Sequence, residues 1–236
     1  MKALIMNSGI GSRMGDITNT HPKCMTEISE KETIVSRQLT LLKECGINNV
    51  LMTTGYFDQV LIDYCNGLEL SLNIEYVNNP KYRDTNYIYS IYCAKDYLHD
   101  DIVMMHGDLV FTENVLKKVL SSDKSVMTVS STLPLPEKDF KAVIKDNKIE
   151  KVGINFFQDA MAAQPLYKIN KEDWEIWLNN IINFCESDNY KCYAENAFNE
   201  VSDKCLIYPL DVKDELCSEI DNPTDLEIVS NRLKQE

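Results

Sequence analysis

Five residues near the amino terminus have the types and spacing to hold an anion. The segment "LIMNSGIGSRMGDITNTHPKCM", residues 4–25, carries Gly9, Gly11 and Gly15 together with Arg13 and Lys23. Glycine has no Cβ, so successive backbone N–H groups can converge on a phosphate. A helix N-terminus close by would add to the attraction. Arg13 offers a planar fork suited to phosphate oxygens, and Lys23, directed by Pro22, a point charge for the same anion. The spacing is neither the dinucleotide G-x-G-x-x-G, because Met14 holds the last glycine's place, nor the P-loop pattern. Three glycines alone would equally make a turn with no ligand. Two cations beside them, in a chain of net charge −13, point to a bound triphosphate.

Further polar residues fall at the ends of expected elements. Asp108 follows an apolar strand and a glycine, which places it at the carboxyl edge of a sheet, where open α/β folds bind ligands. Asp221 precedes the last helix, a position where aspartate also serves as a turn or cap residue. Asn86 and Ser90 lie one helical turn apart, although Thr85 or Asn86 could simply cap that helix. Gly55 and Tyr56 end the second strand, placed to line a base pocket. His106 reads as a strand residue.

The elements that must position these groups alternate through the first half. Strands are expected over residues 2–6, 48–57, 72–77, 101–111 and 125–132. Helices are expected over 33–45, stopped by Gly46, and over 59–68, 85–98 and 113–122. Such β-α alternation implies a mostly parallel, Rossmann-like sheet with helices on both faces. The second half reads differently. Residues 140–153 form two short strands about "KDNK", a hairpin, and residues 161–169 rejoin the sheet. Residues 171–187 form an amphipathic helix in which Trp174 and Trp177 repeat with the apolar face and belong to the core. A late strand covers 204–212. The final helix starts with Asn222 as N-cap and Pro223 as its first residue. With no linker or repeat, residues 1–236 read as one domain, with a nucleotide-binding portion (1–132) and an acceptor-binding portion (133–236).

Composition sets the outer limits. The 236 residues suit one α/β domain, and 44% hydrophobic with 26% charged content is ordinary for a globular protein. The charge of −13 argues against nucleic acid and anionic membrane surfaces as partners. No run of about 18 apolar residues is present to span a bilayer, and the amino terminus reads as a strand rather than a signal peptide. Eight scattered cysteines without a C-x-x-C read as reduced thiols of a cytoplasmic protein, with Cys45, Cys65 and Cys93 packed as small hydrophobes.

The pattern G-x-G-[ST]-R-[ML] followed by P-K resembles the signature of nucleotidyltransferases of the sugar-phosphate type. "NSGIGSRMG…HPKCM" matches it, with Asn7 and Ser8 where two alanines are commoner. Along the whole chain, "NPKYRDTNYIYSIYCAKDYL", "GDLVF", "YAEN" and "SEIDNPTDLE" are similar in order and spacing to the bacterial choline-phosphate cytidylyltransferase branch, which also activates aminoalkylphosphonates. The resemblance implies a GT-A-like nucleotidyltransferase fold with a small hairpin and helical insertion for the acceptor. It implies transfer of CMP from CTP to a small aminoalkyl phosphate or phosphonate, with release of pyrophosphate. Arg13 and Lys23 would then be catalytic. Asn7, Ser8, Gly9, Gly11, Ser12, Gly55, Tyr56, Asn86 and Ser90 would surround the nucleotide. Asp108 and Asp221 would hold Mg²⁺, with Glu219 as an alternate ligand.

At the acceptor end, the resemblance implies Phe140, Tyr193 and Glu195 around a cationic amine. Lys141 either binds the acceptor's phosphate or points outward from the hairpin. Ala194 stands where an aromatic residue would complete a choline box, which favours a primary amine or a zwitterion. Two other readings stay open: a sugar-1-phosphate nucleotidylyltransferase, and a nucleotide-binding regulatory protein without turnover. The oligomeric state is open too, with a homodimer as a candidate.

Overall fold

Alternate residues of the first strand feed two separate cores, and this sets the architecture. In β1 (Lys2–Met6), Leu4 and Met6 pack into one apolar cluster while Ala3 and Ile5 pack into another. Successive side chains of a strand leave on opposite faces, so a strand apolar at every position must be covered on both sides. The computed structural model describes residues 1–235 and shows that cover. One face carries α1 (Ile34–Glu44), α2 (Asp58–Gly67) and, further along the chain, the helix at 113–121; the other carries the helices at 87–94, 171–186 and 194–199.

Between these elements run β2 (Asn49–Thr54) and β3 (Asn73–Asn78), both parallel to β1. After α3 (Tyr87–Ala94), the chain returns on the other side of β1 as β4 (Ile102–His106). The chain therefore leaves β1 in two directions, and the loops after β1 and β4 diverge at this point, where α/β folds bind ligands. The single strand expected over 101–111 is broken. Gly107 and Asp108 form a turn, and β5 (Leu109–Phe111) leaves the main sheet. Gln38 of α1 fixes the turn, donating from Nε2 to the carbonyls of His106 (2.9 Å) and Leu109 (2.8 Å).

Then follow α4 (Glu113–Ser121), β6 (Val126–Ser130), the hairpin β7 (Lys141–Lys145) and β8 (Lys148–Gly153), and β9 (Ala160–Ile169). The hairpin turns at Asp146 and Asn147, both with positive φ. β9 runs antiparallel between β4 and β6, so the sheet is mixed, in the order β10-β6-β9-β4-β1-β2-β3. Next come α5 (Lys171–Glu186) and α6 (Ala194–Asn199), then β10 (Tyr208–Asp211), which is shorter than the expected late strand. Trp174 and Trp177 are fully buried, their indole N–H groups donating to the carbonyls of Leu98 and Ala194, as their periodicity predicts.

β11 (Cys217–Glu219) pairs antiparallel with β5, and α7 (Pro223–Leu233) follows. Asn222 caps α7 as expected, accepting from the amides of Thr224 and Asp225 in a reciprocal capping box. A third, small cluster of Met14, Ile28, Ile34, Val110, Leu216, Ile220 and Val229 ties the glycine loop to β5, β11 and α7. All eight cysteines are free; Cys65 is buried as expected, while Cys45 and Cys93 are only half-buried. Among the described residues, no helix is long and apolar enough to cross a membrane.

Candidate active site

Close backbone packing holds the glycine loop above the sheet. A Cβ on Gly55 would lie 2.4 Å from the carbonyl oxygen of Ser8, so only glycine lets the end of β2 support that loop. Gly11 adopts φ 71° and Gly15 φ 60°, the left-handed region that glycine tolerates. Residues 12–18 then wind as short 3₁₀ turns. These turns bring Arg13 toward Asp221, and a further 3₁₀ turn (Lys23–Met25) brings in Lys23.

The small sheet places the acids. Pairing of Glu219 with Leu109, and the bond from Ile220 N to Asp108 O (3.0 Å), bring Glu219 and Asp221 beside Asp108. The Lys23 ammonium lies between two carboxylates, in close contact with Asp108 and 2.8 Å from Asp221 Oδ1. Arg13 Nη2 reaches the same Asp221 oxygen at 2.8 Å. Burial disfavours charge on both Asp108 and Lys23. Their attraction outweighs it, so the Asp108 pKa is lowered and the Lys23 pKa raised.

A second cluster borders the first. His106 Nδ1 lies 2.6 Å from Glu219 Oε1, and one donor atom from each of His106, Asp108 and Glu219 fits within 4.8 Å. Burial pushes the Glu219 carboxyl up to about 7, with the Asp108 charge adding to the shift. Burial pulls His106 down, but the charge and hydrogen bond of Glu219 win and leave it at about 9. Among the described residues, His106 Nε2 and Asn7 Nδ2 are buried without a hydrogen-bond partner, and the two residues line different cavities.

Two adjoining cavities meet over Asp108 and Asp221. One, of about 380 Å³, is walled by Asn7, Gly9, Gly11, Ser12, Arg13 and Lys23. The other, of about 370 Å³, is walled by Tyr87, His106, Phe140, Tyr193, Glu219 and the loop residues Lys138 and Asp139. Gly9, Arg13, Tyr82, Thr85, Asn86, Asp108 and Asp221 border both. Four rings form a closed chain of edge-to-face and tilted contacts in the second cavity. Their centroids are 4.9 Å apart for Tyr87–His106, 6.1 Å for His106–Phe140, 4.9 Å for Phe140–Tyr193 and 5.9 Å for Tyr193–Tyr87.

Several expected site residues stand elsewhere. Ser90 is fully buried, bonded to Ser8 (2.6 Å) and Asn79 (3.0 Å), and supports the loop from behind. The Asn86 side chain caps α3 by accepting from Tyr87 N at 2.7 Å, although the residue borders both cavities. Gly55 and Tyr56 line a narrow, enclosed cleft against Asn7 and Pro22, outside the two main cavities. Glu195 does not face an amine: it is buried, and its carboxylate accepts from the phenols of Tyr87 and Tyr167. Ala194 is buried in the core and is no gap in an aromatic wall. Both readings of Lys141 fail. Its side chain is fully buried, and its ammonium donates to backbone carbonyls of Pro136, Glu137 and Asp139.

Tyr87, Tyr82, Asn79, Lys138 and Asp139 enter the site without having been expected there. Tyr87 had a signal, an aromatic residue directly after Asn86. His106 ends β4, as expected of a strand residue, and its contact with Glu219 joins segments far apart in the chain.

A mixed sheet with helices on both faces and a glycine loop at the strand ends is the GT-A-like arrangement. The chain belongs to the MobA-like NTP transferase domain family, whose model matches residues 3–132. It is 30% identical over 135 residues to a CTP:phosphoglutamine cytidylyltransferase of Campylobacter jejuni, covering 55% of this chain and 52% of that protein. It is 25% identical over 245 residues to a choline-phosphate cytidylyltransferase of Streptococcus pneumoniae, covering 100% of both. The match thus spans about half of the first relative and all of the second. The solved CTP:phosphocholine cytidylyltransferase from Streptococcus pneumoniae superposes with a TM-score of 0.79 at 19% identity, covering 98% of each chain, which supports the fold.

Proposed function

We propose that this chain is a Mg²⁺-dependent cytidylyltransferase that transfers CMP from CTP to a small, nitrogen-bearing phosphate ester or phosphonate. The observation that carries the reading is the junction itself. Asp108 and Asp221 converge on one cation, with amides and cations on one side and aromatic rings on the other. The preference for CTP comes from the relatives.

The residues fit a hard divalent ion. Asp108 and Asp221 already direct oxygens at a single ammonium, as Mg²⁺ requires of carboxylates. The neighbouring set with His106 includes an imidazole, a donor better suited to transition metals. Bound between the two aspartates, Mg²⁺ would offset the charge that builds on the triphosphate. Lys23 and Arg13, both paired to Asp221, are placed to pass to phosphate oxygens and neutralise them. Asn7 Nδ2, buried and unpaired, is a donor for the nucleotide.

An oxygen of the acceptor attacks the α-phosphorus, the bond to the β-bridging oxygen breaks, and pyrophosphate leaves with the electron pair. That attacking oxygen is ionised near neutral pH, so no general base is required. The rings of Tyr87, Phe140 and Tyr193 offer electron-rich faces to a cationic acceptor, with the carboxylates of Glu195 and Glu219 behind them.

The test is pyrophosphate release with each NTP, Mg²⁺ and a panel of phosphocholine, phosphoethanolamine, 2-aminoethylphosphonate, phosphorylated glutamine and sugar 1-phosphates. Release with CTP and a nitrogen-bearing acceptor is expected, abolished by Asp108→Asn. Release only with a sugar 1-phosphate, or none at all, refutes the reading.

A further inference from the structure

Among the described residues, Lys141 is the one lysine whose side chain is fully buried, and no carboxylate pairs with it. Its backbone is rigid, since β7 is hydrogen-bonded on both sides, pairing Lys141 with Gly153 and with Ala162. From that fixed base the ammonium reaches the loop between β6 and β7. It donates closely to Pro136 O and, at 3.0 Å and 3.5 Å, to Asp139 O and Glu137 O. The ring of Phe157, itself half exposed, covers the ammonium from the other side with its centroid at 4.3 Å. Among the described residues, every hydrogen bond made by residues 134–139 runs to this one ammonium.

That loop ends in the second cavity. Lys138, Asp139 and Phe140 line it, and the Phe140 ring packs on Tyr193. A loop with two prolines and no ladder of its own has little to order it, so one buried cation gathering three carbonyls decides where it lies. We infer that Lys141 is a positioning residue that holds the loop of residues 134–140 as the acceptor-side wall, and so sets acceptor affinity separately from nucleotide affinity. The inference rests on the proposed transferase activity for its kinetic consequence and on geometry alone for the tether.

The variant Lys141→Met keeps the length and apolar stem but removes the donors. Cleavage by endoproteinase Glu-C after the exposed Glu137, followed by mass spectrometry, should speed up at least about tenfold, while cleavage after Glu69 in a distant loop stays unchanged. With whichever acceptor of the panel supports turnover, its KM should rise about tenfold or more, while the KM for CTP stays within about twofold. Lys141→Gln, which keeps an N–H donor, should recover part of both effects and serves if the methionine variant fails to fold. Unchanged cleavage after Glu137, or equal rises in both KM values, would overturn the assignment. If the wild-type protein shows no turnover at all, the proposed activity fails, yet the cleavage measurement still decides the tether.

Discussion

Lys23 between two aspartates gives the site its metal-free form, and it predicts how metal and mutation trade. Removing the ammonium in Lys23→Met leaves Asp108 and Asp221 facing each other, a broken, largely buried pair whose loss costs about 3 kcal/mol. Magnesium should restore more of that loss in the variant than it adds to the parent. Melting temperatures with and without Mg²⁺ measure the difference, and equal Mg²⁺ shifts would remove the two aspartates from the metal site.

His106 and Glu219 predict a pH response of the metal-free protein. The His106 pKa rises from 6.5 to about 9, so its stabilisation is whole below 6.5 and is lost as pH climbs through 9. The Glu219 pKa, also raised, from 4.5 to about 7, withdraws its share as pH passes 7. Stability in EDTA should therefore fall on the alkaline side by on the order of 2 kcal/mol. In His106→Gln the fall between pH 7 and 9.5 should shrink; an unchanged fall would assign it to other groups.

One element carries Asp221 to the junction and another supports the glycine loop, and each can be loosened without touching a carboxylate. Asn222 caps α7, and Asp225 of the same capping box accepts from the Asp221 amide at 2.9 Å. Asn222→Ala should cost about 1 kcal/mol of stability. It should also raise the Mg²⁺ concentration needed for half-maximal turnover, since Asp221 is the residue beside the cap; a metal dependence equal to the parent's would separate cap from site. At the other end, Gly55→Ala forces a Cβ against the Ser8 carbonyl. Backbone must yield there, at about 1–3 kcal/mol, and CTP affinity should fall with it. Calorimetry and nucleotide titration read both.

The whole sheet depends on a strand from the second half of the chain. β9 lies between β4 and β6, bonded to both, so residues 1–132 alone would leave a gap in the middle of the sheet. A fragment of residues 1–132 should show no cooperative thermal transition by circular dichroism. A sharp transition would mean that the two portions are separate folding units.

Local chemistry was legible along the chain. The glycine loop, the helix stop at Gly46, the "KDNK" hairpin and the Asn222-Pro223 helix start each follow from residues close in sequence, where backbone preference and capping act over a few positions. The two-faced sheet followed from apolar runs too continuous to leave one side in water. What sequence did not show depends on contacts between distant segments. The break of 101–111 at Gly107 is imposed by pairing of β5 with β11 and by Gln38, far away in the chain. Glu195 and Lys141 carry charges that suit a ligand, and no local pattern tells a ligand group from one satisfied inside the fold. Only tertiary structure supplied the phenols of Tyr87 and Tyr167, and the carbonyls of one loop, as partners that a buried charge must find.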